Sequence, residues 1–363
     1  MTINKHSIKQ TIIYMKKSLR PLALLMLIAI GFSSCKKDET KKNYTVPTTY
    51  TFDSVYFTSS SLRLEMMDEL ISETKKANTL GTVVTAQRLN DLFTNTNSPF
   101  SDAALNTSGL QLKNQVISSQ QSVIESLFAA LETTSQANQA GGQGVAGVVG
   151  TGSAARLLDA NGIEYKESIE KGLFGALLNY QICEVLLSPT NIGASVNKKT
   201  RQQSWDAAFG YYGVPVDFPT NKTDLMFIGK YGSQRDTTLL LGINSTIMNA
   251  FLKGRAAIDN DDNDEVSKQA AIVKESVEKV LAATAVNYLT LANANFGNDV
   301  TRCRTLSEFR GLLTALSYSS TKKITNTQIA DISTTIGNSN WTITQANILS
   351  ARTALAAVYG INP

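Results

Sequence analysis

Histidine is all but missing from this chain: among 363 residues there is one, His6. It falls in a removable leader described below, so the mature protein is expected to contain none. That absence excludes Ser-His-Asp and Cys-His nucleophile pairs, HExxH zinc sites and haem ligation through imidazole. Any acid–base or metal chemistry is left to carboxylates, tyrosines, lysines and thiols. Cysteine is nearly as scarce, with three residues. Cys35 is taken up by the leader, leaving Cys183 and Cys303 in apolar helical contexts where buried free thiols are common, although an oxidising envelope would also let them pair. A long hydrophobic run is missing too: the apolar stretch from Leu22 to Phe32 is too short to span a bilayer.

That stretch has another use. Lys16, Lys17 and Arg20 form a basic region before it, and Phe32-Ser33-Ser34-Cys35 closes it with small residues and a cysteine. The pattern is that of a secretory signal whose cleavage point is marked by a thiol, the signature of a bacterial lipoprotein. Residues 1–34 are read as the signal peptide and Cys35 as the lipidated first residue, with Met15 offering an alternative start. Stable anchoring takes more than one acyl chain, so the expected partner is a lipid bilayer gripped through acylated Cys35. Lys36-Lys37-Asp38-Glu39 resembles a short charged signal that sends some lipoproteins to the outer face of the outer membrane; a merely solvated linker would read the same way.

Removing the leader changes the charge. The whole chain carries 34 basic and 30 acidic residues for a net +4, but five of the basic ones and none of the acidic ones lie in the first 34 positions. The mature balance is therefore −1, and no nucleic-acid footprint remains.

Residues 35–58 read as a tether, ending in a short alternating piece from Tyr50 to Tyr56 that looks strand-like. Over 59–363 helical spacing dominates and predicts an all-α bundle, in one unit or two. Helices are expected at about 61–71, 84–94, 108–117, 119–137, 169–187, 238–258, 266–291, 302–318, 325–336 and 344–359. A glycine-rich loop over 140–153 interrupts them; it lacks the Gly-Lys-Ser/Thr ending and the preceding strand of a phosphate loop. The acidic run from Asp259 to Glu265 fails as an EF-hand, because Asp264 stands where glycine and Ala270 where glutamate is needed, so its last acids are expected to cap the next helix.

Two places hold candidate chemistry. At 100° per residue Glu170, Leu177, Gln181 and Glu184 fall on one arc of an otherwise apolar helix, facing either solvent or the bundle interior. Around Trp205, the side chains of Trp205, Phe209 and Tyr212 share a core face, while Asp206 points elsewhere.

Several segments resemble a family of bacterial lipoproteins known as domain of unknown function 4856, which looks related to imelysin-like helical proteins. The matching pieces are Asn161-Gly162-Ile163-Glu164 with Ile169-Glu170-Lys171-Gly172-Leu173, the run from Trp205 to Gly213, the run from Phe251 to Ile258, and Leu306-Ser307-Glu308. The resemblance implies an imelysin-like helical bundle on a membrane anchor and an association with iron or haem uptake; some members of the wider group are described as peptidases with a GxHxxE metal motif. This chain departs from the pattern where metal ligands would stand. Gln203, Ser204 and Ala207 flank the Trp-Asp pair in place of histidines and an acid, and Arg304 takes the place of a histidine four residues before Glu308. A permanent cation there can pair with Glu308 instead.

The resulting expectation is a non-catalytic surface lipoprotein of the outer membrane, facing the exterior, that assists iron or haem acquisition beside an outer-membrane transporter. It assigns no catalytic residue, no metal ligand and no cofactor, and it gathers Glu170, Asp206, Arg304 and Glu308 into one polar cluster. The competing reading is an imelysin-like metal carrier or metallopeptidase using Glu170, Asp206 and Glu308 as oxygen ligands.

Overall fold

The computed structural model describes residues 42–362 apart from Leu241. The leader, Cys35 and the charged run after it lie outside the described residues.

The longest element is helix α10, Asn263–Ala294. Asp262 caps it by accepting the Glu265 N–H, and Asp264 and Glu265 place negative charge in its first turn, where the helix dipole favours it. The acidic run is thus spent on a turn and a cap, as its sequence implies. Val266, Ala270, Val273, Val277, Val280 and Thr284 form its buried stripe. Each valine so buried contributes about 1.5–3 kcal/mol relative to exposure. Leu291, the last residue of the helix expected over 266–291, is exposed.

Four helices pack on α10: α8 (Phe227–Asp236), α9 (Ile243–Asp259), α11 (Asp299–Ala315) and α13 (Gln345–Tyr359). In α9, Ile243, Ile247 and Phe251 face inward as their spacing predicts. Helix α7 (Lys198–Tyr212) lies against α9, and there Trp205, Phe209 and Tyr212 all meet Phe251. Gly254 makes that packing possible, because a Cβ at this position would lie 2.0 Å from the Trp205 ring.

Helices α1 (Thr58–Lys75), α2 (Ala86–Thr94) and α4 (Ser118–Ser135) build the other side, with α4 against α5 (Tyr165–Leu173). The remaining helices are short α3 (Ala103–Thr107) and α6 (Pro189–Ile192), and α12 (Asn326–Ile336), whose Thr325 and Gln328 form a capping box. Among the described residues the protein is helical, with one two-stranded antiparallel hairpin, β1 (Gly147–Val149) and β2 (Arg156–Leu158). No described helix is long and apolar enough to cross a membrane.

Four local expectations fail for identifiable reasons. The stretch 108–117 is not a helix but a loop with a single 3-10 turn at Lys113–Gln115; helix forms earlier, at α3, where Asp102 supplies the cap. Helix α8 is absent from the sequence expectation because its apolar residues, Phe227 and Ile228, sit at one end of a polar segment. Val148 and Leu157 pair across the glycine-rich loop and give it a hairpin. The Tyr50–Tyr56 piece is not a strand: Tyr50 donates one backbone hydrogen bond to Val216 O, 2.7 Å, and its ring stacks on Phe209 with centroids 3.8 Å apart.

The helix expected at 169–187 begins earlier, at Tyr165, and beyond Leu173 continues as π-turns over Phe174–Asn179 and Gln181–Leu186. Wider turns change the angular phase, so the arc computed at 100° per residue breaks up. Glu170 stays in the interior, Gln181 donates to Gln115 O at 2.7 Å, and Glu184 accepts the Ser320 N–H at 2.8 Å. Gly175 lets this segment meet α11, since a Cβ there would stand 2.5 Å from the Ala315 Cα.

Candidate functional site

Helix α5 carries its charged residues inward. Glu164 precedes its first turn, and Glu167, Glu170 and Lys171 are all buried. Glu308 of α11 joins them, 2 % exposed. Burying four carboxylates is costly unless each is paired and hydrogen-bonded, and the chain supplies the counter-charges itself. Lys166 Nζ lies 2.5 Å from Glu170 Oε2 and 2.9 Å from Glu167 Oε1. Lys171 Nζ lies 2.6 Å from Glu170 Oε1 and 3.7 Å from Glu167 Oε2. Arg304 Nη1 donates to Glu308 Oε1 at 2.9 Å, and Arg156 Nε stands 3.7 Å from Glu164 Oε1.

Two tyrosines complete the network. Lys171 Nζ and the Tyr288 hydroxyl each donate to the Tyr231 oxygen at 2.9 Å. The ammonium also lies 4.9 Å from the ring centres of Phe174 and Tyr231, where the aromatic faces favour a cation. Around Glu164 the framework is neutral: its N–H donates to the Ser307 hydroxyl, which is held in turn by the fully buried Asn340 amide.

Pairing is uneven, and the acidities follow it. Burial works against ionisation of Glu170, but the charges and hydrogen bonds of Lys171 and Lys166 outweigh it and bring its carboxyl down to about 2. Glu164 and Glu308 go the other way. Burial, reinforced by the charge of Glu167, pushes Glu164 up to about 8 and Glu308 up to about 7. Among the described residues the Oε2 atoms of Glu164 and Glu308 are buried without a hydrogen-bond partner, so a proton is the available means of relieving them.

The network opens on one side into a cavity of about 470 Å³ between α1, α5, α8 and α10. Glu170, Lys166, Tyr231 and Tyr288 form its inner wall, and Asp68, Lys75 and Lys230 surround it. Lys166 and Glu170 are committed to the network. Lys75, Lys230 and Asp68 form no ion pair within 4 Å among the described residues, which leaves the cavity rim with two free cations against one free carboxylate.

Three of the four candidate residues therefore meet across the α5–α11 interface: Glu170, Arg304 and Glu308. Arg304 pairs with Glu308 at i, i+4, as its spacing implies, and does not reach Glu170. Asp206 belongs elsewhere, and the expected single cluster of four is corrected here. It is fully buried on α7, where it accepts from the Tyr50 hydroxyl at 2.7 Å, Tyr56 N–H at 3.0 Å and Arg255 Nε at 2.9 Å. Arg255 also pairs with Asp259 and donates to Ser54 O at 2.9 Å. Its guanidinium is 1 % exposed and stacks 4.8 Å above Phe52, so although it stands near the end of α9 it faces the interior.

Lys166, Glu167, Lys171, Tyr231 and Tyr288 escaped sequence reasoning. The available signals were the Lys166–Glu170 and Glu167–Lys171 pairs at i, i+4, each of which by itself reads as a solvent-facing contact. Among the described residues no group of three or more His, Cys, Asp or Glu side chains is placed to hold a metal ion. Cys183 and Cys303 are both free and buried, and burial pushes each thiol up to about 12.

A family model described as domain of unknown function (DUF4856) matches residues 47–361, and the chain belongs to that family. Neither the curated proteins nor the solved structures contain a match.

Proposed function

We propose that this member of the DUF4856 family is a non-catalytic binding protein, held on the outer membrane through acylated Cys35, that receives an anionic iron complex in the cavity above the α5–α11 network. The observation that carries this reading is the excess of positive charge, Lys75 and Lys230 against Asp68, at a polar cavity whose inner wall is already neutralised by its own ion pairs. Such a cavity attracts a negatively charged chelate or the propionates of a porphyrin, while Tyr231 and Tyr288 offer aromatic surface beside the charges. The iron association itself comes from the likeness to imelysin-like proteins noted in the sequence. An outer-membrane transporter is the partner that such a receiver would serve, and the mature charge near zero argues against nucleic acid.

The same features weigh against a hydrolase. The thiols are buried with raised pKa values, no histidine lies among residues 42–362, and the carboxylates best placed to act, Glu170 and Glu308, are engaged by Lys166, Lys171 and Arg304. One observation favours the carboxylate-metal alternative, namely that among the described residues one buried oxygen each of Glu164 and Glu308 carries no hydrogen bond.

Titration calorimetry with ferric citrate and with haem tests the proposal. At least one is expected to bind saturably and to weaken by about tenfold or more in Lys75→Glu/Lys230→Glu, given charge-assisted contacts of ordinary strength. Absence of binding to both, or binding unaffected by the double substitution, contradicts it. The anchor is tested separately: Cys35→Ser is expected to release the protein from membranes, and continued sedimentation with membranes after a high-salt wash contradicts lipid anchoring.

A further inference from the structure

A second and larger cavity, of about 550 Å³, lies on a different side of the molecule, between α6, α10 and the segment around Thr321–Lys323. Its walls are mainly apolar, formed by Leu187, Pro189, Ile192 and Ala270. Three charged groups in it lack a partner of opposite sign. Lys274 and Lys323 have no carboxylate within 4 Å among the described residues, whereas the neighbouring Glu275 is taken up by Lys279 at 2.7 Å. The third group is Glu278, 5 % exposed. Its Oε1 accepts from the Lys323 N–H at 2.6 Å and from the Tyr359 hydroxyl at 2.5 Å, yet among the described residues no cation lies within 4 Å of it and its Oε2 carries no hydrogen bond.

We propose that this cavity binds a free α-amino acid with an apolar side chain, its ammonium on Glu278, its carboxylate on Lys274 and Lys323, and its side chain against Leu187, Pro189, Ile192 and Ala270. The charge pattern selects this class. A buried carboxylate without a cation is costly and calls for a positive group. Two lysines at the rim call for a negative one. Lys274 and Glu278 are one helical turn apart on α10, neighbours on its surface, so the two ligand charges must be close together, as they are on a single α-carbon. A fatty acid would answer the lysines and the apolar walls but leave Glu278 uncompensated. An alkylamine would leave the lysines so.

Calorimetry of the purified protein with leucine and phenylalanine tests this, with 4-methylpentanoate and 3-methylbutylamine as analogues carrying one charge each. Leucine or phenylalanine is expected to bind saturably, and each analogue at least about tenfold more weakly than leucine, because each leaves one charged partner unmet. Glu278→Gln and Lys274→Met are each expected to weaken amino-acid binding by about tenfold or more. If Glu278→Gln fails to fold, Lys274→Met and the two analogues, which need no variant, still decide. No saturable binding of either amino acid overturns the proposal, as does 4-methylpentanoate binding as tightly as leucine.

Discussion

Glu308 is the residue on which the interior charge balance turns. One of its oxygens accepts from Arg304 and the other has no partner, while Arg304 itself keeps a side-chain exposure of 32 %. Arg304→Ala is therefore expected to destabilise the protein by about 1–3 kcal/mol, the cost of leaving a charged group poorly satisfied. The larger penalty of a fully buried pair is avoided because water reaches the vacated position. Urea denaturation read by circular dichroism measures it; an unchanged midpoint would mean that the pair is idle.

The doubly paired Glu170 and the more weakly paired Glu164 and Glu308 give stability opposite dependences on pH. Glu164 and Glu308 have folded-state pKa values of about 8 and about 7 against an ordinary 4.5. The folded protein thus binds more protons than the unfolded chain between about pH 4.5 and 8, and their contribution is complete below 4.5 and lost as pH rises through the folded values. Glu170, at about 2, contributes stability that is present above 4.5 and lost as pH falls toward 2. The difference between wild type and Glu164→Gln/Glu308→Gln in unfolding free energy, read by urea denaturation, is expected to grow in favour of the variant from pH 5 to 8, by on the order of 2 kcal/mol per group. A constant difference across that range would show that neither carboxyl is shifted.

At the scale of elements, Asp206 joins three parts of the chain: the Tyr50–Tyr56 segment, α7 and α9. Asp206→Ala leaves the Arg255 guanidinium with Asp259 and Ser54 O alone and the buried Tyr50 hydroxyl without its acceptor. The expected loss is about 3–5 kcal/mol, together with faster proteolysis before Thr58 than within the helices. Equal protection of both regions in the variant would contradict this fastening.

What could be foreseen at this scale divides along physical lines. The stripes of α9, α10, α12 and α13 are visible in the sequence because regular α-helical period and capping residues act locally. Asp206 could be singled out as the odd polar group of its segment, but its partners Tyr50 and Arg255 are 156 and 49 residues away and carry no local mark. The inward face of α5 was obscured for two reasons. Glutamates and lysines ordinarily face water, and the π-turns after Leu173 shift the phase on which the arc from Glu170 to Glu184 was computed. Arg304 with Glu308 was legible because an i, i+4 pair lies within one helix.

At the scale of the whole molecule, the protein brings its own cations to every buried carboxylate of the α5–α11 interface and presents the spare ones, Lys75 and Lys230, to the cavity beside it. The proposed function rests on this separation of a paired interior from cations that face the cavity. An interior paired in this way is expected to take up no metal. Equilibrium dialysis of the purified protein against free ferrous or zinc ion, with metal measured by mass spectrometry, tests it most directly. The account predicts no saturable uptake by wild type and no change in Glu164→Gln/Glu308→Gln. One ion retained per chain, and lost in that double variant, would contradict it and make the unpartnered oxygens of Glu164 and Glu308 ligands.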